Sequence, residues 1–306
     1  MNRVLAVGEA LVDVVHGAEA TVSEHPGGSV ANVAVALARL GQPVCLATSV
    51  GTDRRGRAVA SWLAEAGVQI TPGSTHAERT PTATAQLAPD GTATYTFDLT
   101  WAPPTGARSG RWADWREAAA LHTGSLAALL EPGASAVARL VDAARVSATI
   151  SYDPNIRPVL IDDAAATRRA VEAWIARADI VRASADDVAW MYPGDDLRDV
   201  ARRWQRAGPA IVVITRGGAG AWAACRLGEV DHPGRPVAVV DTVGAGDTFD
   251  AGILASLKMQ NLLTKAQVAN LTEDQIAKAL ALGAKAAAVT VSRAGANPPF
   301  AKEIGL

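Results

Sequence analysis

Short runs of Val, Ile and Leu alternate along the chain with longer segments in which apolar residues return every three or four positions. That alternation is the pattern of an α/β fold built on a mainly parallel sheet. The short runs predict strands at 3–8, 43–50, 118–123, 147–153, 179–182, 210–215 and 220–225. Helices are predicted at 29–40, 56–66, 133–145, 163–177, 185–191, 196–207, 246–259 and 273–289. In the first helix Val30, Val33, Ala34, Leu37 and Leu40 share one face, and Gly41 stands where a C-terminal cap is wanted. Two stretches, 9–24 and 80–100, instead alternate with period two; the second is Thr-rich and carries a hairpin signal at Asp90-Gly91. Both leave and re-enter the α/β pattern without a Gly/Ser- or Pro-rich linker. The expectation is therefore one α/β/α sandwich domain over 1–306, carrying a small β lid formed by about 9–24 and 80–100.

Composition narrows the function classes. The 306 residues are 49% hydrophobic and 20% charged, enough apolar material for an independently folding core. Twenty-nine basic against 31 acidic residues leave a net charge of −2. No sequence-wide positive field exists to hold a nucleic acid. Cys45 and Cys225 lie in apolar stretches without CxxC spacing and read as buried free thiols of a reducing compartment. The N-terminus has no leader pattern, and no apolar run approaches the ~18 residues of a membrane span. The expected location is the cytoplasm, with no membrane partner.

All five lysines (Lys258, Lys265, Lys278, Lys285, Lys302) lie at or after position 258. A P-loop needs a lysine to reach the terminal phosphates, followed by Ser or Thr, and no lysine here has that context. The GxGxxG dinucleotide fingerprint, HExxH and GxSxG are also missing. The five histidines are scattered singly, and His122, inside AALHTGSL, reads as a strand histidine satisfied in the core. The stretch 258–278 reads as a solvated surface segment.

One segment carries a mechanism. In VVDTVGAGDTFDAGIL (239–254) an apolar strand ends at Val240, a small-residue turn follows, and a helix starts near Asp247. Backbone N–H groups of Gly244, Ala245 and Gly246 can converge on an anion at the positive end of that helix. Asp247 then stands beside an oxyanion cradle, where the helix field favours its ionised form and it can accept a proton from a hydroxyl attacking a phosphoryl group. On local physics alone, a tight turn with an Asp cap explains the segment equally well. Asp250, one turn on, is a rival base further from the cradle, with a solvated helix face as its ordinary explanation.

DTVGAGDTFDAG, together with GGSVANVAVALARLG (27–41) and VGTDRRGR (50–57), resembles the paired signatures of the PfkB (ribokinase-like) family of carbohydrate kinases. The resemblance covers nearly the whole chain. It implies a ribokinase-like sandwich with a β lid, and ATP and Mg²⁺ as nucleotide and metal. Asp247 would be the base, with Gly244, Ala245 and Gly246 as the anion hole. It further implies a polyol site at Asp13, Gly27, Gly28 and Asn32, joined by Asn155 and Arg157 of DPNIRP (153–158). VITRGGAGAW (213–222) resembles the family's nucleotide loop, which implies ATP contacts at Thr215, Gly217, Gly218 and Gly220.

The family's NxxE motif is altered here to Ser184 and Asp187, so the resemblance implies Ser184 on the nucleotide side and Asp187 as a magnesium contact. VTVSRAGANPP (289–299) resembles a loop near the adenine and a monovalent-cation site, with Asp241 and Val243 as the K⁺ partners. GEALVD, DPNIRP and SRAGANPP look most like bacterial fructokinases, implying phosphoryl transfer from ATP to a hydroxymethyl group of a ketohexose. The alternatives are a 2-keto-3-deoxygluconate kinase, with Arg79 or Arg108 as second cation; a nucleoside kinase, with Tyr95, Phe97 and Trp101 as stacking rings; and a non-catalytic sugar-binding relative. The exposed edge of the Thr-rich lid suits pairing with a second copy, a homodimer.

Overall fold

The computed structural model describes residues 3–16, 21–87, 93–103 and 115–306. With strands numbered in chain order, a nine-stranded sheet contains β1 (Arg3–Val7), β4 (Val44–Ala47), β5 (Gln69–Ile70), β8 (Ala118–Gly124), β9 (Thr149–Asp153), β10 (Ile180–Ser184), β11 (Ile211–Thr215), β12 (Ala221–Cys225) and β13 (Glu229–His232). Their order is β13-β12-β11-β10-β9-β8-β1-β4-β5. Every pairing from β11 to β5 is parallel, and β12 and β13 add antiparallel strands at one edge. Every residue of β4, β8, β9 and β11 is buried, as a parallel sheet covered on both faces requires.

Helices cover both faces. On one lie α1 (Ser29–Arg39), α2 (Arg54–Glu65), α8 (Ala245–Met259), the short α9 (Lys265–Val268) and α10 (Glu273–Val291). On the other lie α3 (Ser125–Leu129), α4 (Gly133–Ala144), α5 (Ala164–Ile175), α6 (Ala185–Met191) and α7 (Leu197–Ala207). The expected α/β/α sandwich is the architecture found. α8 is buried at every residue from Asp247 to Leu257, so its central turns are interior. It lies tight on α10 because Gly252 meets Gly283: a Cβ on Gly252 would come within 2.5 Å of the Gly283 Cα. Sheet order reverses between β1 and β8, opening a crevice beyond their carboxyl ends where α/β folds bind ligands.

A second sheet of four strands, β3 (Val22–Gly27), β2 (Leu11–His16), β6 (Thr82–Leu87) and β7 (Ala93–Asp98), has that order across it. It accounts for the two period-two stretches, although the first runs on to Gly27 rather than stopping at 24. The Asp90-Gly91 turn lies outside the described residues. Only residues 8–10 separate β1 from β2, and Gly28 alone separates β3 from α1.

Several expectations need correction. Residues 233–240 form no strand and are largely exposed, because Pro233 and Pro236 cannot donate to a ladder. The 258–278 stretch is not merely a solvated surface: Leu263, Val268 and Leu271 are buried, and Lys265 Nζ binds both oxygens of Asp179 at 2.8 Å. Trp101 packs away from the second sheet, in the core against Gly133 of α4. Cys225 is only partly buried, whereas Cys45 is buried as expected.

Candidate active site

The crevice is where the candidate residues meet. α8 begins at Gly244, whose φ of 74° is the left-handed conformation glycine adopts without strain. The helical ladder starts with Thr248 N–H donating to the Gly244 carbonyl, and Ala245 N–H turns back to the Thr242 carbonyl at 3.2 Å. Of the expected cradle donors, Ala245 is therefore used within the turn. The N–H groups of Gly246 and Asp247 precede the first bond of that ladder.

Asp247 is 5% exposed. Its Oδ1 accepts from Ser29 Oγ and its Oδ2 from Asn32 Nδ2, both at 2.8 Å, so the first turn of α1 holds the first turn of α8. Asn155 Nδ2 donates to Ser29 Oγ at 2.7 Å and approaches Asp247 Oδ1 at 3.4 Å. Arg157 donates to the Asn155 side-chain oxygen. Burial raises the Asp247 carboxyl above the usual range, against the Asn32 and Ser29 hydrogen bonds. A carboxylate so placed is a stronger proton acceptor than a solvated one.

The second sheet brings Asp13 to the same crevice. Asp13 is half-buried, and burial raises its carboxyl despite the opposing charges of Arg157 and His25. Gly27 is glycine because a Cβ there would lie 2.5 Å from Asp13 Oδ2; at Gly28, with φ 107°, a Cβ would lie 2.7 Å from the Glu9 carbonyl oxygen. Glu9, at the carboxyl end of β1, is 3% exposed and accepts from Ala127 N–H at 3.1 Å. Burial pushes its carboxyl up to about 7.

Of the residues expected to contact ATP, Thr215 ends β11, its Oγ1 accepting from Arg182 Nη2 at 2.5 Å. Gly217 and Gly218 are exposed on the following turn. Gly220, with φ 92°, is packed where a Cβ would strike backbone of residues 232–234. Asp241 binds inward, Oδ1 accepting from Val243 N–H and Oδ2 from Gly295 N–H, which hold its carboxyl below the usual range. Val243 is exposed beside it.

Asp187 does not stand as a free metal contact. It is the third residue of α6 in a capping box: Oδ1 accepts from Ile156 N–H, and Oδ2 from Ser184 N–H and Oγ. Ser184 is thereby the cap of α6. Asp250 is 1% exposed and faces Asp153, so the solvated-face explanation is wrong. Burial, then the Asp153 charge, hold its carboxyl well above the usual range. His122 is buried against Ser151 Oγ at 3.0 Å, and burial lowers it to about 3, a neutral core residue. Among the described residues no group of three or more His, Cys, Asp or Glu is placed to hold a metal ion.

Sequence reasoning missed Ser29, Glu9 and Arg182. Ser29 had a signal, since it precedes Asn32 by one helical turn in GGSVAN.

This geometry has known relatives. The pfkB family carbohydrate kinase model matches residues 1–303, and the chain belongs to that family. A fructokinase of Rhizobium leguminosarum bv. trifolii is 37% identical over 282 residues, covering 89% of this chain and 85% of that one. Among solved structures, fructokinase with bound ATP from Xylella fastidiosa superposes with a TM-score of 0.85 at 25% identity, covering 99% of this chain and 96% of the other. A double-mutant fructokinase of Vibrio cholerae O395, bound to fructose, ADP and potassium ion, gives 0.77 at 24% identity, covering 97% of this chain and 94% of the other. The chain is a carbohydrate kinase of the ribokinase-like fold, and no helix among the described residues is long and apolar enough to cross a membrane.

Proposed function

We propose that the protein is an ATP-dependent fructokinase that phosphorylates the 6-hydroxymethyl group of fructose, with Asp247 as general base. The observation that carries this reading is the carboxylate of Asp247, buried in the first turn of α8 beside the cradle and clamped by Ser29 and Asn32. Its Oδ takes the proton as the sugar oxygen forms a bond to the γ-phosphorus. The bond from that phosphorus to the β,γ-bridging oxygen breaks, and ADP leaves. The protein's part is positioning and charge stabilisation. Gly246 and Asp247 N–H groups face the transferring phosphoryl oxygens. Asp13 and Asn155 face the sugar hydroxyls, and Arg157 stands at the rim. Thr215, Gly217 and Gly218 line the nucleotide side.

Magnesium fits this site as an ion held mainly by nucleotide phosphates and water, which is its usual habit; it would neutralise charge between the phosphates. Asp187 already serves the α6 cap and is not needed as a direct ligand. Asp241 and the backbone around Val243 are the proposed surroundings of a potassium ion. The four-stranded sheet is the proposed lid of a single domain, with its edge strands β3 and β7 as the surface for a second copy. Two free thiols support work in the cytoplasm. Of the two cations named for the keto-acid alternative, Arg79 sits 3.7 Å from Asp98, and Arg108 lies outside the described residues.

The test is ATP consumption across a sugar panel. Fructose should give the highest kcat/KM, and Asp247→Asn should lower turnover roughly 10²–10⁴-fold. A sugar acid or nucleoside outpacing fructose would overturn the substrate; full turnover by the variant would overturn the base.

A further inference from the structure

Arg182 occupies an unusual place for a guanidinium. It lies mid-strand in β10, flanked by Val181 and Ala183, with its side chain 8% exposed. Nη1 donates to Asp153 Oδ2 at the end of β9 at 2.9 Å, and Nη2 donates to Thr215 Oγ1 at the end of β11 at 2.5 Å. One side chain thus ties the ends of β9 and β11 to the middle of β10 between them. A Cβ on Gly246 would strike Nη1 first, then Cζ and Nη2 at 2.9 Å, so the guanidinium abuts the cradle backbone. Asp250, on the next turn of α8, hydrogen-bonds Asp153. Two carboxyl groups in such contact hold one proton between them, which leaves the cluster with one positive and one negative charge. Its cationic end lies against Gly246. A buried ion pair contributes little net stability compared with an apolar packing of similar volume, so fold stability is a poor reason for placing one here.

We propose that Arg182 is a positioning residue of phosphoryl transfer, held by Asp153 and Thr215 against the Gly246 backbone and lending its positive charge to the cradle from beneath. The inference rests on the cradle and base assigned above. It also answers the missing early lysines, because a fixed cation stands under the anion site without a lysine clamp. Preorganised charge of this kind acts on the transition state more than on substrate binding.

The test compares Arg182→Met, Arg182→Lys and the double variant Arg182→Met/Asp153→Asn in the full chain. The Asp153→Asn change keeps an oxygen to accept from Asn155 N–H while removing the orphaned charge. Arg182→Met should lower kcat roughly 10²-fold, the size seen for deleting one preorganised donor, with the KM for sugar changed by less than about threefold. Arg182→Lys should recover most of that loss. The double variant should regain the melting temperature but not kcat. If it regains kcat to within about threefold of the parent, Arg182 only balances Asp153 and the inference is overturned. Unaltered kcat in Arg182→Met would overturn it too. Asp247→Asn, measured alongside, separates the readings: if it stays inactive while the double variant regains turnover, the base stands and only the role of Arg182 falls.

Discussion

Replacing Glu9 by Gln should make the protein more stable above neutral pH. The Glu9 carboxyl is 3% exposed and lies at the end of β1, with one oxygen accepting from Ala127 N–H. Burial, opposed by backbone hydrogen bonds and Arg157, raises it from 4.5 to about 7. The folded chain therefore binds this proton more tightly than the unfolded chain. The stabilisation is complete below the unfolded value and is lost as pH rises through the folded one. At 1.36 kcal/mol per unit, ionising Glu9 in place costs about 3 kcal/mol by the time pH has passed well above 7. For a chain of this length that corresponds to roughly 5 °C in melting temperature, from about 2 cal/mol/K of unfolding entropy per residue. Glutamine keeps the carbonyl oxygen for Ala127 N–H and carries no charge at any pH. Thermal melts of both proteins should converge near pH 4.5 and separate progressively toward pH 8.5, with the variant higher. Parallel pH profiles, or a variant less stable at pH 8.5, would show that the buried Glu9 charge is compensated and refute the reasoning.

Asp247→Asn should lower kcat without lowering the melting temperature at neutral pH, since it removes a buried charge whose ionisation opposes folding; in the parent, kcat should fall as pH drops through the raised Asp247 value. Asp187→Ala should reduce stability by about 1–2 kcal/mol through loss of the α6 cap, while the magnesium dependence of turnover stays within about threefold. A sharply raised magnesium requirement would instead restore Asp187 as a ligand. Gly252→Ala should cost about 1–3 kcal/mol in a denaturant melt by overpacking the α8–α10 contact, with a fall in kcat as α8 shifts; an unchanged melt would mean the helices separate freely.

The layers of the fold were legible because parallel strands buried on both faces and amphipathic helices write different periods into the chain. β5 was not, being two residues long, and β13 was hidden because its EVDH alternates exposed and half-buried residues at the sheet edge. The cradle was legible as a local Gly-Ala-Gly-Asp turn. What holds Asp247 was not: Ser29 lies 218 positions away in sequence, and only the sandwich brings the two helix starts together. Arg182 was missed, and the burial of Asp250 with it, for a related reason. A lone charge in an apolar run reads as solvated until a partner is found on another element, and their shared neighbour Asp153 lies in a separate strand.

The tethers of the four-stranded sheet carry a further consequence. Residues 8–10 lead into it from β1, and Gly28 leads out of it into α1. Glu9 and Gly28 adjoin the proposed sugar mouth, and Asp13 rides on β2 itself. If that assignment holds, such a sheet is a lever with its fulcrum inside the site, and any tilt would reach at once the residues proposed to hold the hydroxyls. It also cannot be exchanged between relatives as an independent module. On the proposed assignment, a grafted sheet would import its own carboxylate and its own glycine hinge and hence its own choice of sugar, which would tie the evolution of specificity to that of the sheet.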